Sequence, residues 1–353
     1  MGRKDEVMYD LSLESIDLSS EQEKDEVICF LQKFDLTLDE DVDYTVVLRD
    51  NNRSIKATCS KAGNIFKCFA VSEDMRGENL TSSLISHLID KSFNEGIFHN
   101  FIFTKPDRIN VFTSLNFKLL YRAEKAALLE YGIYNIDKFL DSISEKYSID
   151  NNIESTALVM NCNPFTKGHR YLVEEAAKNC NQVLLFLVEE DRFDFPFSDR
   201  YTMVKTGTQD LKNVKVIPAG EYIISQATFP NYFIKKTDER LQAYEEIDSG
   251  IFGKYICKRF NIKKRFVGKE PYCDVTSTYN ETLKKIMPIY NVEVVEIERE
   301  KYNEEYISAS KVRKLLCAGR MDVIEKIVPQ STWQFLNSDR GRDIVKNKLH
   351  KAF

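Results

Sequence analysis

An α/β protein of two domains is what the sequence predicts, an α+β domain followed by a domain built on a parallel sheet. Three observations carry that prediction. With 353 residues the chain is too long for one ordinary domain. Up to about residue 130 its short β-rich runs come in hairpin-like pairs, with helices set between later strands. From Ser155 onward nearly continuous apolar strands alternate with helices, as in parallel sheets buried on both faces.

The elements follow in order. Tyr44–Arg49, Ser54–Ser60 and Ile65–Val71 are three β-rich runs, joined by the turn signals Asp50-Asn51-Asn52 and Lys61-Ala62-Gly63-Asn64. A helix is predicted over Glu78–Asn94, with Leu80, Leu84, Ile85, Leu88 and Ile89 on one face. A strand at Asn100–Thr104, a short helix at Ile109–Leu115 and strands at Lys118–Arg122 and Ala126–Glu130 complete a domain over residues 1–133. A bridging helix within 134–152 shows Ile136, Phe139, Leu140 and Ile143 on one side, and Asp150-Asn151-Asn152 ends it.

Residues 153–353 form the second domain, with a Rossmann-like order. Strands are predicted at Thr156–Met160, Gln182–Val188, Val214–Ile217, Lys264–Val267 and Val292–Ile297. Helices are predicted at Gly168–Cys180, Ser198–Leu211, Asp238–Arg259, Ser277–Met287 and Ser308–Ala318. Its ligand site belongs at the carboxyl ends of the strands.

Composition narrows the function classes. A net charge of −5 argues against a nucleic-acid partner. No apolar run reaches the roughly 18 residues of a membrane span, and the acidic N-terminus lacks the apolar core of a signal peptide. A soluble, cytoplasmic protein without a membrane partner is expected. The eight cysteines contain no CxxC pair and sit mostly in apolar runs, so they read as small hydrophobes in a reducing compartment. Cys162 is singled out because it lies beside the motif below, yet no second histidine is near it in sequence to activate a thiol.

That motif is ALVMNCNPFTKGHRYLVEEAAKNC, a buried strand running through a short loop into a helix. Within it Thr166-Lys167-Gly168-His169 has the form T-x-G-H. Gly168 lets backbone approach a phosphate without a Cβ in the way. His169 stands at a helix N-terminus, which favours anions and lowers an imidazole's pKa, so a neutral donor to an α-phosphate is expected. Thr166 offers a hydroxyl to the same phosphates. A second motif, I-S-x-S-x-x-R, occupies Ile307–Arg313 about 140 residues later. Ser308 and Ser310 can cap the following helix, and Arg313 brings a planar fork of donors to a polyphosphate.

The two motifs together resemble the signature of the nucleotidylyltransferase superfamily. The resemblance narrows through NPFTKGHRYLVE, FPFSDRYTMVKTG, NVKVIPAGEYIISQATFPNYFIK, FVGKEPYCDVTSTYN and ISASKVRKLL, whose order and spacing are similar to those of the [citrate (pro-3S)-lyase] ligase family. The first domain resembles the GNAT acetyltransferase fold. Its phosphate turn would be Arg76-Gly77-Glu78-Asn79-Leu80-Thr81, where Asn79 and Thr81 replace the usual glycines, so weak coenzyme A binding is expected.

This resemblance implies an AMP-forming ligase that uses ATP, with Mg²⁺, to activate acetate as acetyl-adenylate. The acetyl group then passes to the prosthetic-group thiol on the acyl-carrier subunit of citrate lyase. It implies an ATP-binding set of Asn163, Pro164, Phe165, Thr166, Gly168, His169, Gly268, Glu270, Ile307, Ser308, Ser310 and Arg313, with His169, Thr166 and Arg313 catalytic. Arg200 and Lys205 are candidate phosphate or acyl contacts, Asn161 and Asn163 can orient substrate, and the run ISQATFPNYF around Pro230 can wall an acyl site or line a core. No acidic residue declares itself as a metal ligand. Three rivals stay open: a phosphopantetheine adenylyltransferase-like enzyme, a coenzyme-A-dependent acetyltransferase working through the first domain, and a non-catalytic assembly factor.

Overall fold

Ahead of the first predicted hairpin lies a short, mostly exposed edge strand, β1 (Ser12–Ser15), followed by helix α1 (Glu21–Gln32). The computed structural model that shows them describes residues 11–76, 79–178, 180–190, 193–223, 232–234, 236–270 and 274–349. Neither element has a strong apolar pattern; α1 buries only Val27, Phe30 and Leu31, and the Ser20 hydroxyl caps it by accepting from the Glu23 amide.

The predicted runs then appear in sequence: β2 (Tyr44–Arg49), β3 (Ile55–Ala62), β4 (Ile65–Val71), α2 (Leu80–Asn94), β5 (His99–Thr104), α3 (Ile109–Thr113), β6 (Lys118–Arg122) and β7 (Ala127–Gly132). They build a seven-stranded sheet in the order β1-β2-β3-β4-β5-β7-β6. Every neighbouring pair is antiparallel except β4 and β5. Gly63 makes the β3–β4 turn with a left-handed φ of 56°, as its place in Lys61–Asn64 predicts. Leu84, Ile85 and Leu88 of α2 pack on Val46, Phe66, Ile102 and Phe117 to form this unit's core. Each such side chain contributes about 1.5–3 kcal/mol by leaving water.

The second unit starts with α4 (Ile136–Lys146) and continues β8 (Ser155–Met160), α5 (Lys167–Ala177), β9 (Gln182–Leu187), α6 (Phe197–Gly207) and β10 (Val214–Pro218). After α7 (Thr237–Ile251) come β11 (Ile262–Gly268), α8 (Asp274–Ile286), β12 (Glu293–Ile297), a small hairpin of β13 (Lys301–Tyr302) and β14 (Glu305–Tyr306), and α9 (Ala309–Cys317). Its five-stranded sheet has the order β10-β9-β8-β11-β12, and all its pairs are parallel. Strand order reverses at β8, which lies between β9 and β11. Ligands in open parallel sheets bind at the carboxyl end of such a switch. Three closing helices, α10 (Met321–Ile327), α11 (Gln330–Asn337) and α12 (Asp339–Ile344), carry no motif the sequence reading uses.

Two boundaries depart from expectation. The bridging helix α4 belongs to the second unit: Phe139 packs against Tyr222 with ring centroids 5.0 Å apart, and Arg259 pairs with Asp141 at 2.8 Å. A later segment ending at Ile247 belongs to the first unit, so the second domain is not continuous from residue 153. The Tyr232 hydroxyl donates to the Phe103 carbonyl, and the Glu124 amide donates to the Glu246 carboxylate at 3.1 Å. These long-range bonds leave no periodic trace in the sequence.

Candidate nucleotide site

The loop after β8 carries the first motif into α5. Thr166 has an extended backbone (φ −120°, ψ 166°) and caps the helix by accepting from the His169 amide at 3.3 Å. In return the Thr166 backbone N–H donates to His169 Nδ1 at 3.1 Å. An amide can only donate, so Nδ1 is an acceptor and the neutral ring carries its proton on Nε2. Burial, with a smaller effect from the Arg299 charge, lowers the imidazole pKa to about 4. His169 is therefore a neutral donor through Nε2 near neutral pH. Phe165, fully buried, stacks beside the ring at 6.1 Å between centroids, and its carbonyl accepts from the Thr332 hydroxyl at 2.8 Å.

The second motif meets the first here. A Cβ built on Gly168 would lie 3.0 Å from the Ile307 carbonyl oxygen and 3.5 Å from the Ile307 Cβ. Gly168 thus sits close against Ile307, and a side chain added there would press that carbonyl. Ser308 caps α9 by accepting from the Lys311 amide at 3.1 Å, and its hydroxyl lies 3.1 Å from that of Ser310. One turn on, Arg313 donates to the Asn163 carbonyl at 2.5 Å and pairs with Asp194 at 3.0 Å. Asn163 also gives its Nδ2 to Asp194 at 3.2 Å and accepts from the Phe195 amide at 3.1 Å; its bond to Pro164 is cis. Both motifs therefore converge at the carboxyl end of β8.

At the end of β11, a Cβ on Gly268 would meet only ordinary contacts, Leu172 at 3.8 Å and Arg299 at 3.9 Å. Glu270 forms an ion pair with Arg299, whose Nε donates to the Lys269 carbonyl at 2.7 Å. Pro271 lies outside the described residues. Asp194 and Arg299 had no place in the sequence reading, because neither belongs to a motif. The one available signal for Arg299 was its position just past a predicted strand.

Other candidates are placed elsewhere. Arg200 is fully buried and donates to four carbonyls, those of Phe195, Asn161, Val188 and Glu190, at 2.7–3.0 Å. It holds loops together and is not offered to a phosphate or acyl group; its charge was legible in the sequence, but not the oxygens around it. Lys205 lies on the exposed side of α6, near the Tyr201 ring. Cys162 is buried with its thiol pKa pushed far up by burial, which makes it a poor nucleophile. Every described cysteine is a free thiol. Most of ISQATFPNYF lies outside the described residues, and its Tyr232 and Phe233 line a cavity of the first unit instead. That cavity, about 720 Å³, also takes in Arg76, Asn79 and Thr81. Asn79 caps α2 in the left-handed conformation (φ 55°), as an asparagine replacing glycine can; Gly77 and Glu78 lie outside the described residues.

Among the described residues no helix is long and apolar enough to cross a membrane, and no group of three or more His, Cys, Asp or Glu could hold a metal ion. Comparison with known proteins matches residues 155–336 to the citrate lyase ligase C-terminal domain. The chain is 38% identical over 319 residues to [Citrate [pro-3S]-lyase] ligase of Escherichia coli K12, covering 89% of this chain and 90% of that protein. It is 37% identical to the protein of the same name from Haemophilus influenzae, covering 90% and 97%. Among solved structures it is similar to a GNAT-family acetyltransferase from Staphylococcus aureus Mu50 (TM-score 0.29, 14% identity, 35% of this chain and 100% of that chain). It is also similar to a bifunctional NMN adenylyltransferase/ADP ribose pyrophosphatase from Francisella tularensis (TM-score 0.35, 15% identity, 55% of this chain and 53% of that chain). Identity at this level, sustained over about nine-tenths of both proteins, places the chain in the citrate lyase ligase family.

Proposed function

We propose that this ligase activates acetate with ATP and transfers the acetyl group to the prosthetic-group thiol of the acyl-carrier subunit of citrate lyase. The observation that carries the reading is the meeting of T-x-G-H and I-S-x-S-x-x-R at the switch point of the parallel sheet, joined through Gly168–Ile307 and Arg313–Asn163. In the first step an acetate oxygen attacks the α-phosphorus in line, and the bond to the bridging oxygen of pyrophosphate breaks. The His169 Nε2–H donates to an α-phosphate oxygen as its charge grows. Arg313 and the Ser308–Ser310 hydroxyls hold the β,γ end, which leaves as pyrophosphate. In the second step the carrier thiol, having lost its proton, attacks the acetyl carbonyl and AMP leaves. Asn163, Pro164 and Phe165 shape the loop under the phosphates, and Gly268 and Glu270 border the base. Mg²⁺, held by the phosphates' own oxygens rather than by a protein cage, would supply charge neutralisation.

Isotope exchange between pyrophosphate and ATP tests the reading. Exchange that requires acetate supports it. Exchange that requires phosphopantetheine and ignores acetate would select an adenylyltransferase instead.

A further inference from the structure

We propose that Asp194, which no motif contains, is a positioning residue for the nucleotide. Its carboxylate fixes the Arg313 guanidinium against the first motif before ATP arrives. The role rests on the function proposed above, because it presumes that Arg313 meets the β,γ phosphates.

An unbraced arginine is a long side chain with many rotamers, and a ligand that captures it must first remove that freedom. A guanidinium already held in place binds the same ligand more tightly. Arg313 is held at two of its three nitrogens: Nε lies 3.0 Å from Asp194 Oδ2, and Nη1 donates to the Asn163 carbonyl. Nη2 has no partner among the described residues, so it is the group left for a phosphate oxygen. Asp194 Oδ2 also accepts from Asn163 Nδ2 at 3.2 Å. One carboxylate oxygen thus gathers the arginine of the second motif and the asparagine just ahead of the first.

The neighbour of Asp194 makes this anchor firm. Phe195 is fully buried, its N–H donates to Asn163 Oδ1 at 3.1 Å, and its carbonyl accepts from Arg200 Nε at 3.0 Å. Its ring meets that of Phe335 edge to face, with centroids 6.1 Å apart. With the next residue pinned on both sides of its peptide, the Asp194 backbone cannot readily follow a moving arginine.

Two simpler roles for Asp194 make different predictions. The Arg313 and Asp194 side chains are each 28% exposed, and ion pairs that water reaches usually contribute little. An incidental pair would therefore leave ATP binding unchanged. A carboxylate beside a phosphate site also repels phosphates, so if its charge alone mattered, removing it would tighten binding. A brace for Arg313 predicts the reverse sign: removal weakens binding, and only while Arg313 is present.

A double-mutant cycle on the full chain separates these cases, with Asp194→Ala, Arg313→Ala and the pair, and with Asp194→Asn as the conservative variant. Calorimetry gives Kd for ATP, acetate-dependent pyrophosphate–ATP exchange gives KM and kcat, and thermal unfolding reports the fold. Asp194→Ala should raise Kd and KM for ATP about tenfold, with kcat falling less than KM rises. Transfer from preformed acetyl-adenylate should stay within about twofold of wild type, since it involves no β,γ phosphates. Asp194→Asn keeps an acceptor oxygen in place and should lose less. Added to Arg313→Ala, Asp194→Ala should weaken ATP binding by less than about twofold further. Unchanged or tighter ATP binding by Asp194→Ala overturns the proposal. An equal loss in both backgrounds also overturns it, because a general loosening of the fold gives that result. ATP binding without acetate-dependent exchange sinks the proposed function alone, and the calorimetric cycle still decides Asp194. Wild-type protein that binds no ATP, or Arg313→Ala that binds it as wild type does, overturns both.

Discussion

His169 can donate only through Nε2, because the Thr166 amide occupies Nδ1. His169→Ala should lower adenylation about 10²–10³-fold, the usual loss for a transition-state donor, while the protein stays folded. With its pKa near 4, the ring keeps its neutral form from neutral pH down to about pH 5. The pH–rate profile should therefore show no histidine break near 6.5, where an ordinary imidazole titrates. Stability follows the same sign. Between about pH 6.5 and 4 the unfolded chain takes up the proton first, so this residue's contribution is full above 6.5 and declines as pH falls toward 4. Arg200 gives the opposite kind of test. Arg200→Ala leaves four carbonyls without their donor and should cost at least about 3 kcal/mol in denaturant unfolding, whereas Lys205→Ala should change stability by less than about 0.5 kcal/mol. The histidine was legible in the sequence because T-x-G-H joins an acceptor, a small residue and an imidazole at one helix start. Arg200 was not, because the four carbonyls that claim it come from segments scattered over some thirty residues.

At the scale of elements, the site depends on how closely the loop before α9 approaches the start of α5. A methyl group on Gly168 would press the Ile307 carbonyl at 3.0 Å, and backbone gives way less readily than a side chain. Gly168→Ala should thus cost about 1–3 kcal/mol in stability and separate the two motifs, which on the proposed function raises KM for ATP. A cavity or shift seen there by crystallography would report the same movement. Both motifs were legible from residue types and from the strand–loop–helix order. Their contact was not, since about 140 residues separate them and only the strand order brings them together. The sequence shows why a small residue suits Gly168 but not that Ile307 comes this close to it.

Across the whole molecule, the two units have different prospects. In the parallel-sheet unit β8 and β9 were the most legible strands, as buried apolar runs, while β10, β11 and β12 are only partly buried and β11 and β12 carry charged residues. Its edges were less so: α4 joins it and the segment ending at Ile247 leaves it, both through long-range packing. The first unit keeps a cavity of about 720 Å³ beside α2, but the helix opens on Asn79 and Thr81 where glycines would admit a phosphate. Acetyl-CoA without ATP should therefore leave citrate lyase unacetylated, as read by recovery of lyase activity; efficient transfer would move catalysis to the first unit. Separating adenylation from thiol transfer in Arg313→Ala and Arg313→Lys tests most directly whether the two motifs form one adenylation site. Arg313→Ala should weaken ATP binding and slow adenylation, Lys should restore only part because it lacks the planar fork, and transfer from preformed acetyl-adenylate should be nearly unaffected. If Arg313→Ala slows that transfer as severely as it slows adenylation, Arg313 does not hold the leaving pyrophosphate, and the proposed site is wrong.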